Sequence, residues 1–540
     1  MTNSSQDALN TQIKQSSELA MAGMDIPWLL EQWADKTPDK PFLIWEPFSG
    51  EGGSWSFKRL QDESRALASG LVKKGVKAGD FVLIHLDNSP EFVISWFACA
   101  QLGAVAVSTN TRSVARDLSY FSDHVSAVCA ITQPCFAKLV NDNCPDISFL
   151  AITDNDVGVT SEIDASINYL PFAELLNTPI NLPERSTDPM ANLAIQFTSG
   201  TTSRPKAVLW THANALWGAR VNAAHMRLVQ DDITLTFLPL FHTNAQAYSM
   251  LGSLWGGGTM VLQPKFSASR FWPVSVKHQC TWSSMIPFAF KALAGQKMPE
   301  HNYRFWGTGA HIPMVNELFG IESIGWWGMT ETITHGIVSD LDHPGPAGNM
   351  GRAALEYDIQ IRHPDGRMVK PGEKGHLFIL GVPGVSLFKE YFGDPNATAK
   401  SFDQNGWFDT GDIVRVDESG ALFFADRDKD MLKVGAENVA ASEIETIIMA
   451  TELIAECAVV AQKHYMLDEV PVVFVIPNPA GAALAAKELK SKLIESCTIN
   501  LADFKVVRDV HIVDSLPRST LEKIAKNELR KLLPKIESGK

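Results

Sequence analysis

The sequence is poor in several features that mark whole functional classes. Its seven cysteines, at 99, 129, 135, 144, 280, 457 and 497, include no CxxC pair. That excludes the usual thiolate metal ribbons and a disulfide scaffold, and predicts buried free thiols in a reducing compartment. Basic residues are outnumbered, leaving a formal charge of −14. So acidic a chain has neither the face that nucleic acid requires nor a polybasic membrane anchor. No uninterrupted apolar run approaches the ~18 residues of a membrane span. The N-terminus, MTNSSQDALNTQIKQSSELA, has no apolar signal core. The expected location is cytoplasmic. No repeat of solenoid length is visible, and GxxxxGK[ST], the Walker loop, occurs nowhere.

What is present centres on residues 197–208, FTSGTTSRPKAV. Thr198, Ser199, Gly200, Thr201, Thr202 and Ser203 carry a hydroxyl or no side chain, and Lys206 follows the Arg-Pro pair. Small hydroxyl residues and open backbone N–H groups approach phosphate oxygens without steric bulk. Apolar runs flank the stretch at 193–197 and 207–210, so it reads as strand–loop–strand with a polar, mobile tip.

With 540 residues the chain is long enough for several domains or subdomains. Residues 1–25 read as a loose tail or surface helix. From Trp55 apolar residues recur at helical spacing until Gly75 and Gly79. A strand at 81–86, a helix at 91–103 and a strand at 104–107 follow, and strand and helix alternate to about residue 320, the pattern of α/β layers. Between about 340 and 425, Gly and Pro become frequent among short alternating strands, as in a β-rich subdomain of which a small barrel is one form. The densely charged ADRDKDMLKVGAEN (425–438) reads as exposed. After it come a helix at 442–450, strands at 455–461 and 470–476, a helix at 487–496, and a last strand and helix. The expected class is α/β: a large N-terminal domain over 1–425, a short hinge at 426–429, and a small mobile α+β C-terminal domain over 430–540. With no Pro/Gly linker at 426–429, the joint reads as a hinge rather than a tether.

Five separated stretches occur in one order: FTSGTTSRPKAV (197–208), GWWGMTET (325–332), WFDTGD (407–412), DRDKDMLKVGAENVAASEIE (426–445) and LPRSTLEKI (516–524). Together they resemble the acyl-adenylate-forming superfamily of acyl-CoA synthetases, carrier-protein-loading adenylation domains and beetle luciferases, over almost the whole chain from about residue 25. The resemblance implies a reaction in two steps. A carboxylate attacks the α-phosphate of ATP to give an acyl adenylate and pyrophosphate, and a thiol then displaces AMP. It implies ATP, Mg²⁺ and coenzyme A, with residues 430–540 acting as an AMP-binding lid.

By the same resemblance, residues 198–206 wrap the β- and γ-phosphates, with Lys206 adding charge. Within GWWGMTET, the segment Trp326, Trp327, Gly328, Met329 lies against the nucleotide, Trp327 stacking on adenine. Thr330 contacts the α-phosphate, and Glu331 holds Mg²⁺. Gly309 and Ala310 line adenine and acyl group. Asp412 accepts the ribose hydroxyls, and Arg427 makes a second ribose or phosphate contact. Lys429 is the hinge, and the loop carrying Lys433, Gly435 and Asn438 faces the thiol in the second step. Lys523 bridges the substrate carboxylate and the α-phosphate. Ser203, Ala207 and Glu522 stand where the family has glycine.

PLFHTNAQ (239–246) puts His242 where acyl-CoA synthetases gate the acyl and thiol pocket. Phe241-His242 offers no carboxylate for an α-amine, so a simple carboxylic acid is expected rather than an amino acid. The stretch 239–273 looks closest to crotonobetaine/carnitine- and fatty-acid-CoA ligases. No carrier-protein module follows Lys540, which makes free coenzyme A the expected acceptor. A luciferase-like oxygenase, a carrier-protein-loading enzyme and a catalytically silent ATP-binding relative remain as alternatives. The acyl substrate and the oligomeric state stay open, a homodimer included.

Overall fold

The computed structural model describes residues 19–183, 185–198, 205–427, 431–435, 437–517, 524 and 526–533. Four sheets form among them. The first has eight strands, and its centre is parallel: Val105–Ser108 beside Phe81–His85, then Cys129–Thr132 and Phe149–Ile152. Val105–Ser108 and Cys129–Thr132 are buried at every position, as expected for parallel strands covered by helices on both faces. One covering helix is Pro90–Leu102. The Ser89 side chain caps its start and Gly103, at φ 80°, ends it in the left-handed region.

The apolar flanks of the phosphate-loop stretch become Asn192–Thr198 and Lys206–Thr211, an antiparallel pair in this sheet with Thr198 opposite Lys206. The pairing brings Thr198 and Lys206 to one mouth.

The second sheet has nine strands. Its centre is also parallel, with Ile233–Thr236, Trp282–Ser284, Phe305–Thr308 and Glu322–Trp327 in spatial order. Residues 309–310 and 328–331 therefore leave the same, C-terminal edge, where open parallel sheets place their ligands. Short antiparallel additions, Ile337–Val338 and Arg352–Ala353, close that side.

The Gly/Pro-rich stretch forms a four-stranded antiparallel sheet of Asp358–Arg362, Lys374–Leu380, Trp407–Val416 and Leu422–Arg427. It is open and not the barrel the turn density suggested. Lys374–Leu380 alternates exposed and buried residues, so only one face is covered and nothing drives closure. The last sheet lies wholly beyond residue 430, as Glu437–Ala440, Met431–Val434, Asp468–Pro477, Ile454–His464 and Asp509–Ile512. It carries its own buried clusters, one built on Val459, Val473, Leu489 and Leu493.

Two further expectations need correction. The end of the 1–25 stretch is not loose, because Met21 is fully buried and Asp25 caps the helix Ile26–Lys36 through Trp28 N, at 2.8 Å. The charged 425–438 stretch is not uniformly exposed, because Leu432, Val434 and Glu437 are buried. The hairpin they form must cover its apolar side. Of the seven free cysteines only Cys135 is exposed. No described helix is long and apolar enough to cross a membrane.

Candidate active site

The strand Glu322–Trp327 sends consecutive tryptophans to opposite faces, as the pleat requires. Trp327 faces the mouth and donates its indole N–H to Asp412 Oδ2, at 2.8 Å. Asp412 is buried on Trp407–Val416 and pairs in register with the backbone of Arg427. Trp326 points the other way. Its ring stacks on His335 at 4.7 Å and covers Gly307, where an added Cβ would lie 1.6 Å from the indole. Burial pushes the His335 pKa well down, so this is a neutral aromatic stack. Trp326 thus sits in the packing behind the site, away from the mouth that Trp327 faces.

Beyond Trp327 the chain turns through Gly328 and Met329 into a short 3-10 turn, Thr330–Thr332. Only glycine fits at 328, since an added Cβ would meet Tyr248 Oη at 2.4 Å. Glu331 is buried, and its Oε1 accepts the Tyr391 hydroxyl at 2.8 Å. Burial, with the Glu331 charge beside it, raises the Tyr391 pKa, so the phenol stays a donor. The Lys206 ammonium lies 4.2 Å from the Tyr391 ring centroid, a cation–π contact. Tyr391 therefore joins the lysine of the phosphate loop to the carboxylate of GWWGMTET.

Glu331 and Thr330 offer hard oxygen donors, and no described group of three or more His, Cys, Asp or Glu could hold a metal. One carboxylate with room for phosphate and water suits Mg²⁺, which seldom takes a full protein cage. The residues fit that ion. Gly309 is exposed with open space where a Cβ would stand, beside Ala310.

His242 follows Phe241 at the start of an unusual element, a π-helix over Asn244–Leu251. π-Turns concentrate at functional sites because they displace side chains from α-helical positions. His242 Nε2 lies 3.0 Å from Glu437 Oε2, 195 residues away in the last sheet's hairpin. Asn110 Nδ2 donates to the other Glu437 oxygen, at 3.2 Å. Burial opposes the imidazolium, but the Glu437 charge and hydrogen bond outweigh it and hold the His242 pKa above its usual value. Burial likewise opposes the Glu437 carboxylate, and His242 outweighs it, so that pKa is lowered.

The fold thus gathers Thr198, Lys206, Trp327, Thr330, Glu331, Asp412 and His242 around one mouth, and a C-terminal hairpin closes it. In that hairpin Gly435 takes φ 64°, and Lys433 pairs through its backbone with Asn438. The Lys433 backbone N–H donates to Glu469 Oε2, at 2.9 Å. Ser199, Gly200, Thr201, Thr202, Lys429 and Lys523 lie outside the described residues.

Sequence reasoning missed Glu437, although it read the loop that contains it. The available signal was a carboxylate within a half-apolar hairpin. It missed Tyr391, for which no local signal exists.

Comparison with known proteins shows the family. The family model "AMP-binding enzyme" matches residues 30–392, and "AMP-binding enzyme C-terminal domain" matches residues 443–523. A crotonobetaine/carnitine–CoA ligase of Escherichia coli O7:K1 is 33% identical over 534 residues, covering 94% of this chain and 99% of that protein. Among solved structures, a double mutant of o-succinylbenzoate CoA synthetase from Bacillus subtilis, bound to its product analogue OSB-NCoA, matches with TM-score 0.81 and 25% identity. That match covers 94% of this chain and 99% of the other. The same Bacillus subtilis enzyme in complex with AMP matches at 25% identity over 94% and 98%, but with TM-score 0.66. The chain belongs to the AMP-binding enzyme family.

Proposed function

We propose that this protein is an ATP-dependent carboxylic acid–CoA ligase. An acid and ATP give an acyl adenylate and pyrophosphate, and the thiol of coenzyme A then displaces AMP to give acyl-CoA. The first step joins two anions, so it needs positioning and charge neutralisation more than covalent chemistry. Lys206 and the loop 198–203 hold the leaving phosphates. Trp327 faces the adenine, and Asp412, kept in place by the Trp327 N–H, accepts ribose hydroxyls. Thr330 contacts the α-phosphate. Glu331, oriented by Tyr391, would hold Mg²⁺, which when bound draws charge from the phosphate oxygens. Lys523 reaches between carboxylate and α-phosphate, where a cation in a water-poor site lowers their repulsion.

The second step belongs to His242. An imidazole oriented by a carboxylate is the usual arrangement for taking a proton from a nucleophile. Here the proton is that of the entering thiol. A cleft of about 510 Å³ on the same seam is lined by Arg112, Thr498, Asp503 and Arg508, and its guanidinium groups suit the phosphates of coenzyme A.

We read residues 1–425 and 430–540 as two domains joined by a hinge at 426–429. The present arrangement is that of the thioester step. The contact of Glu437 with His242 carries this reading, because it brings a C-terminal loop to the base. The two TM-scores support it. They come from one enzyme at one identity, so sequence divergence does not separate them, and the higher belongs to the complex with the CoA product analogue.

The test is pyrophosphate release over short, long, aromatic, steroid and betaine carboxylates, followed by AMP and thioester formation with coenzyme A. At least one acid should give CoA-dependent thioester. Release with none, or acyl adenylate consumed only with oxygen uptake, would overturn the proposal. Lys429→Pro should spare adenylation and block the thioester step, and full overall turnover would refute the hinge.

A further inference from the structure

Thr330 does not stand alone at the mouth. Thr243 Oγ1, on the residue after His242, lies 3.0 Å from Thr330 Oγ1 and 2.6 Å from Gln196 Oε1. Gln196 Nε2 donates to Gln246 Oε1 at 2.9 Å, and Gln246 Nε2 donates to the Leu240 carbonyl at 3.0 Å and reaches Ser108 Oγ at 3.4 Å. Gln196 and Gln246 are 2% and 0% exposed and Thr243 is 8% exposed, so water does not substitute for these partners. Two glutamines inside an apolar layer need a reason, because each must find partners for an amide N–H₂ and a carbonyl.

The direction of every bond in this chain follows from one end. A backbone carbonyl only accepts, so Gln246 must turn its N–H₂ to Leu240 and its oxygen to Gln196. Gln196 must then present its N–H₂ to Gln246 and its oxygen to Thr243. That oxygen also only accepts, and so does Thr330 Oγ1 in its bond with Thr243, so the single Thr243 hydrogen serves two acceptors. Thr330 therefore accepts in this pair and keeps its own hydrogen. The π-helix makes the construction possible, since it carries Gln246 and starts next to Thr243, while Gln196 stands two residues before the phosphate loop.

We propose that Thr243 is a positioning residue for the adenylation step. Its hydroxyl donates to the Thr330 oxygen and so sets the place of the Thr330 hydroxyl. The inference rests on the role of Thr330 given above. With its oxygen accepting from Thr243, Thr330 keeps its own hydrogen to donate, and a phosphate oxygen receives a hydroxyl already held in place.

The test separates positioning from structural support. Thr243→Val keeps the branched shape and removes the donor. It should lower kcat for pyrophosphate release about ten- to a hundredfold, with the KM for ATP within about threefold, and Thr243→Ser should restore kcat to within about twofold. Gln196→Met removes more hydrogen bonds, but it frees the Thr243 hydrogen to reach Thr330, so the hydroxyl pair survives and kcat should stay within about threefold of wild type. Purely structural support requires the opposite order, with Gln196→Met the worse variant and kcat following thermal stability. An active wild type with Thr243→Val at normal kcat, or with Gln196→Met falling as far as Thr243→Val, overturns this inference alone. A wild type that adenylates no acid overturns the function itself.

Discussion

The two sides of the mouth are built from different chemistry. Behind Thr330 lies a buried, hydrogen-bonded lattice: Thr243, Gln196 and Gln246 on one flank, and Trp327 on Asp412 on the other. The polar contacts across the seam to the last sheet include three ionic pairs: His242 with Glu437, Arg112 with Asp503, and Lys291 with Asp468. Arg112 and Asp503 are 43% and 76% exposed, Lys291 and Asp468 43% and 25%. Exposed pairs of this kind contribute about 0–1 kcal/mol, whereas a buried amide left without its partner costs about 1–3 kcal/mol. A lattice of the first kind stays in place through a catalytic cycle. A seam of the second kind separates and closes again at little cost, which is what two half-reactions on one site demand.

That contrast can be broken from either side. The largest effect is expected from Lys523→Ala. Adenylation should fall by about two to three orders of magnitude, while thioester formation from supplied acyl adenylate is kept, and equal loss of both would remove the role assigned to Lys523. Next comes His242→Ala, on the seam. Thioester formation should drop about a hundredfold with pyrophosphate release within a few fold of wild type. A matching fall in pyrophosphate release would place His242 in the first step instead.

A smaller and more diagnostic change is expected from Glu437→Gln. Glu437 holds the His242 pKa up, so in the wild type the base is unprotonated only above that raised value, and the thioester rate climbs with pH through it. Without the carboxylate charge the imidazole pKa falls, and the acidic limb of the pH–rate profile moves to lower pH. An unmoved limb would mean that His242 does not carry the titration.

The same pair sets the pH dependence of the seam. Its contribution is lost as pH rises through the raised His242 pKa, and lost as pH falls through the lowered Glu437 pKa. The closed arrangement is therefore favoured between them. The smallest effect belongs to Arg112→Ala. Although the guanidinium also lies 4.4 Å from the Phe504 ring centroid, thermal stability should change by no more than about 1 kcal/mol. A larger loss would show that the seam is not the weak side.

Much of this was legible in the sequence, for identifiable reasons. Alternating apolar runs, Ser89 before Pro90 and Gly103 at the stop specify a strand, a capped helix and the next strand through local preferences alone. The phosphate-loop flanks at 193–197 and 207–210 read as strands for the same reason, and they pair as such. GWWGMTET and WFDTGD were legible only through their resemblance to the adenylate-forming family, and Trp327 of one does meet Asp412 of the other. The barrel expected near 340–425 failed because turn density counts strands and says nothing of closure. The charged stretch at 425–438 misled because charge was averaged over a hairpin that alternates.

What the sequence by itself determined, then, is the succession of elements and the α/β layering, since these follow from periodicity and capping within a few positions, while the motif residues at the layer edges were read through a family resemblance. Only the tertiary structure decided which tryptophan of the Trp326–Trp327 pair faces the mouth, that Tyr391 joins Lys206 to Glu331, that Thr243 meets Gln196 and Thr330, and that Glu437 closes on His242. Each of these depends on side chains tens to hundreds of residues apart meeting at hydrogen-bond or ring-contact distance. Such an encounter is set by strand order and layer packing, and no local pattern encodes it.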